Sequence, residues 1–181
     1  MVVSESRLAP DIAGRDHVRG ARGAPMRLLI YGDYECPYTH NALISVAQVR
    51  GELGDAFVYA FRNFPLTEIH PHALHAALAA EAAELQGKFW EMHDLLFRMQ
   101  GALADDDLAA HAKKVGLDEE GFRADFANRK GLPRIEADVA SGVRNGVQGT
   151  PCLFINGTLH LDDYDPATLV NALRSAAERS V

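Results

Sequence analysis

Cys36 lies in the run Tyr31-Gly32-Asp33-Tyr34-Glu35-Cys36-Pro37-Tyr38-Thr39-His40, between a short apolar segment and a helix-like pattern. A cysteine at the junction of a strand and a helix faces unpaired backbone N–H groups and the positive end of the helix dipole. Such surroundings favour thiolate over thiol and make a sulfur nucleophile. Pro37 suits the first helical turn, where its missing donor costs nothing. The position that would complete a Cys-x-x-Cys pair is Thr39, so the motif closes no disulfide within itself. Two readings of Thr39 stand: its hydroxyl, one turn on, donates to the Cys36 thiolate, or it replaces a lost second cysteine without a role of its own. Asp33 and Glu35 flank the nucleophile; a nearby carboxylate opposes the helix dipole, whereas a protonated His40 would support it.

The second cysteine, Cys152, follows Pro151 directly. A disulfide to Cys36 would require Cα atoms within ~7 Å and converging Cβ vectors. Adjacent side chains on a strand point to opposite faces, so a Pro151 turned toward Cys36 sends Cys152 away. Cys152 is therefore expected to be a buried core thiol, unpaired with Cys36. His70, His72, His75 and His93 invite a metal reading, but no carboxylate or cysteine completes a recognisable ligand spacing, and no metal site is assigned. Phe89, Trp90 and Met92 read as core.

The elements that must position these residues follow from pattern. Met26–Tyr31 is a buried strand by its apolar run. Ala42, Val46, Val49 and Leu53 form one face of a helix that Gly51 weakens and Gly54 ends. Ala56–Phe61 is aromatic and β-branched enough for a second strand, and the β-α-β order implies parallel pairing. From residue 66 to 146, roughly eighty residues by the same boundary signals, alanine-rich helical stretches dominate. They cover Ala73–Leu85, Lys88–Met99, Asp105–Val115, Glu119–Phe126 and Leu132–Val143. One of Asp105, Asp106 and Asp107 is expected to cap the third, and Asp118 the fourth. Cys152–Ile155, Asn156-Gly157 and Thr158–Leu161 read as a hairpin with a type I′ turn, and Asp165-Pro166 opens a last helix. Four segments result: an irregular lead-in over 1–24, a β-α-β half over 25–65, a helical insertion over 66–146, and a β-β-α half over 147–181.

With 181 residues and 48% hydrophobic content, the chain is long enough to bury a core. A net charge of −7 with scattered basic residues argues against nucleic acid or an anionic membrane as partner. No stretch approaches the ~20 apolar residues that span a bilayer. Met1 to Pro10 lacks an apolar leader core, which gives the expectation of a cytoplasmic protein.

The order of elements, with Cys36-Pro37-Tyr38-Thr39 at the first helix and Gly149-Thr150-Pro151 before the hairpin, resembles the DsbA-like branch of the thioredoxin superfamily. The resemblance extends through Asp16-His17-Val18-Arg19-Gly20, Phe64-Pro65-Leu66, His70-Pro71-His72-Ala73, Gln86-Gly87-Lys88-Phe89-Trp90-Glu91-Met92-His93-Asp94 and Phe154-Ile155-Asn156-Gly157. It implies an α/β thioredoxin-like fold with an inserted helical subdomain. It also implies a cis Thr150–Pro151 peptide beside Cys36, in a loop that receives an extended substrate segment.

The catalytic candidates are then Cys36, Pro37 and Thr39, and the substrate-binding candidates Tyr38, Thr150 and Pro151. The chemistry expected is monothiol exchange with a disulfide or thiol adduct of a protein or small molecule, released by an external thiol. No resident cofactor is called for; a low-molecular-weight thiol such as glutathione is the candidate co-substrate. Two alternatives are a non-catalytic peptide-binding module and a glutathione-dependent transferase.

Overall fold

The computed structural model describes residues 11–179. Five strands form one sheet in the order β1-β3-β2-β4-β5, with β1 at His17–Arg19, β2 at Met26–Gly32, β3 at Phe57–Asn63, β4 at Cys152–Ile155 and β5 at Thr158–His160. β1 runs antiparallel to β3, β4 to β2, and β5 to β4. β2, in the centre, is almost wholly buried, as a run apolar apart from Arg27 requires of a strand covered on both faces. Helix α1 spans Pro37–Leu53, and Gly54 follows it with φ of 53°. The remaining helices are α2 (Ala73–Glu84), α3 (Phe89–Arg98), α4 (Asp105–Lys114), α5 (Glu119–Ala127), α6 (Leu132–Arg144) and α7 (Pro166–Glu178). This is a thioredoxin-like α/β fold in which the helical block α2–α6 is inserted between strands.

Two compact units divide the chain. Among the described residues the first comprises 11–32, 38–62 and 141–179; the second comprises 33–37 and 63–140. In the first, α7 packs on β2 and β4. Asp165 caps α7 by accepting from the N–H groups of Ala167 and Thr168, with Pro166 in the first turn. The β4–β5 turn has Asn156 at φ 47° and Gly157 at φ 81°, the paired positive values of a type I′ turn. Asn156 also pins the start of β2. Its side-chain oxygen accepts from Arg27 N–H at 2.9 Å, and its N–H donates to the Arg27 carbonyl at 2.9 Å.

In the second unit, α2 is buried nearly all round, and its Ala73, Ala76, Ala77, Ala79, Ala80, Ala82 and Ala83 let α3, α4 and α5 approach closely. Asp118 caps α5 by accepting from Gly121 N–H at 2.7 Å. At α4 the cap differs from expectation. Ala104 takes the N-cap position, and Asp107 reaches back to accept from its N–H at 3.2 Å.

The lead-in also departs from its expected irregularity, because His17–Arg19 forms β1. Three residues carry no periodicity to read. What fixes them is tertiary: Arg62 of β3 donates from Nε and Nη2 to the two carboxylate oxygens of Asp16 at 2.9 and 2.8 Å, with both side chains fully buried. Tyr31 Oη and Ser141 Oγ, each 3.0 Å from Arg62 Nη1 and 2.8 Å from each other, complete the network. Burial works against the guanidinium charge, but the hydrogen bonds and charge of Asp16, with Tyr31, more than offset it and raise the Arg62 pKa.

Candidate functional site

The segment 33–37 carries Cys36 between the end of β2 and the start of α1. Cys36 is a thiol outside any disulfide, 3% exposed. Its N–H donates to the Asp33 carbonyl at 3.2 Å, and its carbonyl accepts from Gln100 Nε2 at 3.0 Å. The same Gln100 nitrogen donates to the Tyr34 carbonyl at 2.7 Å. Pro37 is exposed and opens α1, as its fixed φ and missing donor suit.

Both acidic neighbours are engaged by groups of the second unit itself. The buried Asp33 carboxylate accepts from Glu35 N–H at 2.8 Å through one oxygen. Through the other it meets Leu66 N–H at 2.8 Å and His70 Nδ1 at 2.8 Å. Glu35 accepts from His72 N–H at 2.7 Å. The competition expected between two carboxylates and the helix dipole thus begins from carboxylates already holding N–H donors. Tyr34 lies on α3, its hydroxyl 3.0 Å from His93 Nδ1 and its ring 4.8 Å from that of Phe97.

On the first unit, Thr39 is fully buried, and its methyl packs over the end of β2. A Cβ placed on Gly32 would lie 2.8 Å from Thr39 Cγ2 and 2.5 Å from a Phe61 ring carbon, so glycine is the residue that fits there. The ladder pairs Tyr31 with Cys152. Continued one step, the register sets Pro151 level with Gly32, so Thr39 and the Thr150–Pro151 loop share one end of the sheet. The Thr150–Pro151 peptide is cis, and both residues are half-buried. Tyr38 is 64% exposed.

Cys152 is free and half-buried, less enclosed than the core thiol expected, because it stands at the first position of β4. What burial it has pushes its thiol up to about 11. The histidines disperse among separate partners: His70 to Asp33, His75 to Asp105 at 2.6 Å, His93 to Tyr34. Among the described residues no group of three side chains could hold a metal ion. Phe89 and Met92 are buried, and Trp90 is half-buried with its ring 5.0 Å from that of Phe89.

Gln100 is the site residue that sequence reasoning passes over. A signal for it exists: His93, Phe97 and Gln100 are spaced four and three apart, one face of a helix and its trailing turn.

Comparison with known proteins bears on the fold and the family. A family described as Thioredoxin matches residues 13–175. BdbD from Bacillus subtilis superposes with a TM-score of 0.81 at 19% identity, covering 90% of this chain and 93% of its own. A thioredoxin-like oxidoreductase from Silicibacter pomeroyi gives 0.78 at 23% identity over 97% and 98% of the two chains. A periplasmic thioredoxin-like protein from Salmonella enterica serovar Typhimurium gives 0.73 at 21% identity, over 94% of each.

By sequence, Na(+)/H(+) antiporter NhaA 1 of Salinispora arenicola is 44% identical over 93% of this chain, but the matched stretch is 26% of that protein. NhaA 1 of Mycolicibacterium vanbaalenii is 42% identical over 93% of this chain and 28% of its own length. The chain therefore spans about a quarter of the curated relatives it matches.

The expectation of a cytoplasmic protein is overturned by these structural neighbours, which bear the names BdbD, DsbA and ScsC and include one described as periplasmic. The residues Met1 to Pro10 on which that expectation rested lie outside the described residues. No helix among the described residues is long and apolar enough to cross a membrane. With a family match over 13–175, a five-stranded sheet, an inserted helical block and a lone cysteine ahead of α1, the chain belongs to the thioredoxin family and carries the fold of its DsbA-like branch.

Proposed function

We propose that this protein is a monothiol thiol–disulfide oxidoreductase in which Cys36 is the nucleophile. The observation that carries the reading is the placement of Cys36, a thiol outside any disulfide, immediately before α1, in a motif whose fourth residue is a buried threonine. In the first step the Cys36 thiolate attacks one sulfur of a substrate disulfide. A new S–S bond joins Cys36 to that sulfur, and the other sulfur departs as a thiolate. In the second, an external thiolate attacks the mixed disulfide, takes the substrate sulfur into a new disulfide and returns Cys36 as a thiolate. The electrons balance across the cycle, which exchanges disulfides and reduces thiol adducts at the expense of an external thiol such as glutathione. Pro37 opens the helix, and Tyr38 with Thr150 and Pro151 receives an extended substrate segment. Cys152, with its thiol pushed up to about 11, is a poor candidate for resolving the intermediate within the chain.

Intact mass after exposure to oxidised glutathione, then after addition of reduced thiol, tests the cycle. One glutathionyl adduct on Cys36, absent from Cys36→Ser and cleared by reduced thiol, is the expected result. No adduct, or an adduct that survives in Cys36→Ser, overturns it and leaves a peptide-binding module as the alternative.

The antiporter relatives favour a second, narrower reading, in which the thiol partner belongs to a membrane transporter. Mixed disulfides trapped on the protein should then be recovered with membrane proteins in preference to soluble ones; an even distribution removes this reading and leaves the first intact.

A further inference from the structure

Helix α3 presents three groups to the segment that carries the nucleophile: His93 on the Tyr34 hydroxyl, Phe97 on the Tyr34 ring, and Gln100, just past the helix end, on the backbone. Gln100 Nε2 is 2.7 Å from the Tyr34 carbonyl and 3.0 Å from the Cys36 carbonyl. Both partners are acceptors only, so the amide must turn its NH₂ toward them, and its two protons serve the two carbonyls. With the Cys36 N–H held by the Asp33 carbonyl, both backbone polar groups of the nucleophile are then fixed.

Disulfide exchange requires the attacking sulfur in line with the bond it breaks, and an error of 1 Å in placement costs about 100-fold in rate. We propose that Gln100 is a positioning residue for Cys36: its amide clamps the Tyr34 and Cys36 carbonyls and holds the thiol in register with the start of α1 during attack. The proposal rests on the reading of Cys36 as an exchange nucleophile. Gln100 touches neither sulfur and exchanges no proton. The electron pair passes from the Cys36 thiolate into the new S–S bond, and the departing sulfur carries away the old pair.

Three variants test the clamp, with the rate of adduct formation from oxidised glutathione measured by intact mass across pH and expressed relative to the parent at each pH. Gln100→Ala removes both donors and should be slower by about ten-fold at every pH. Gln100→Met does the same while keeping chain length and packing, and replaces the alanine variant should far-UV circular dichroism show the latter unfolded. Gln100→Glu is the discriminating variant. A protonated carboxyl donates one hydrogen to these carbonyls, whereas a carboxylate donates none and repels them. Its relative rate should lie within about three-fold of the parent below pH ~4 and fall by about ten-fold once the side chain ionises, near its ordinary value of ~4.3 or above.

A merely structural role would give a relative rate that does not change with pH. That result, or alanine and methionine variants reacting as fast as the parent or faster, overturns the clamp. A parent that takes up no glutathione refutes the exchange reading itself, and the positioning role falls with it. A reacting parent with unaffected variants refutes Gln100 alone.

Discussion

At the scale of single residues, the chemistry turns on one sulfur and on what stands three positions after it. Thr39 occupies a buried position on the first turn of α1. A cysteine is close in volume to threonine, so Thr39→Cys should fold and should gain oxidative refolding of a reduced test protein that the parent lacks. A parent as active as the variant would mean that a second cysteine already resolves the intermediate. Cys152 is the only other cysteine in the sequence. Burial pushes its thiol up to about 11, so it is protonated at neutral pH. Iodoacetamide at pH ~8 should therefore label Cys36 and spare Cys152, with Cys152 labelling rising only as the pH approaches ~11. Peptide mapping showing Cys152 labelled at pH ~8 as fast as a free small thiol would contradict this. The sequence told where Cys36 lies because strand, proline and helix are local signals. It could not tell how Asp33 and Glu35 spend their carboxylates, since their partners at Leu66, His70 and His72 are brought to them by tertiary structure.

Among the elements, legibility followed local pattern and turn signals. The helices of the insertion and the Asn156-Gly157 hairpin were readable from periodicity and turn chemistry, whereas β1, three residues long, was not. Its place depends on Arg62, a charge at the buried end of a strand that composition alone would cut short at Phe61. The meeting of β2, β3 and α1 likewise depends on a position with no pattern signal. Gly32 lies where a Cβ would be 2.5 Å from the Phe61 ring and 2.8 Å from the Thr39 methyl. Gly32→Ala should lower stability by about 1–3 kcal/mol, the usual cost of overpacking a core. Urea denaturation measures it, and an unchanged midpoint would show that Phe61 and Thr39 yield freely.

Across the whole molecule, the pH dependence of stability has an identifiable contributor in the helical unit. Burial raises the pKa of Asp138, although Arg134 and the Asn63 N–H act in the opposite direction. The folded state therefore holds this proton more tightly than the unfolded chain. The stabilisation is fully present below the unfolded value of ~3.9 and is lost as pH rises through the folded one. Asp138→Asn, which cannot ionise, should gain stability relative to the parent as pH is raised from about 4 to 7; a difference independent of pH would remove Asp138 from the account. The edges of the sheet have a consequence of another kind. β1 and β5 border it with three residues each. At ~3.3 Å per residue, each rim offers a second chain about 10 Å of backbone on which to build. Fibril seeding and strand exchange need longer templates than that. Crowded or concentrated, this protein should therefore meet its own copies without recruiting them into extended sheets.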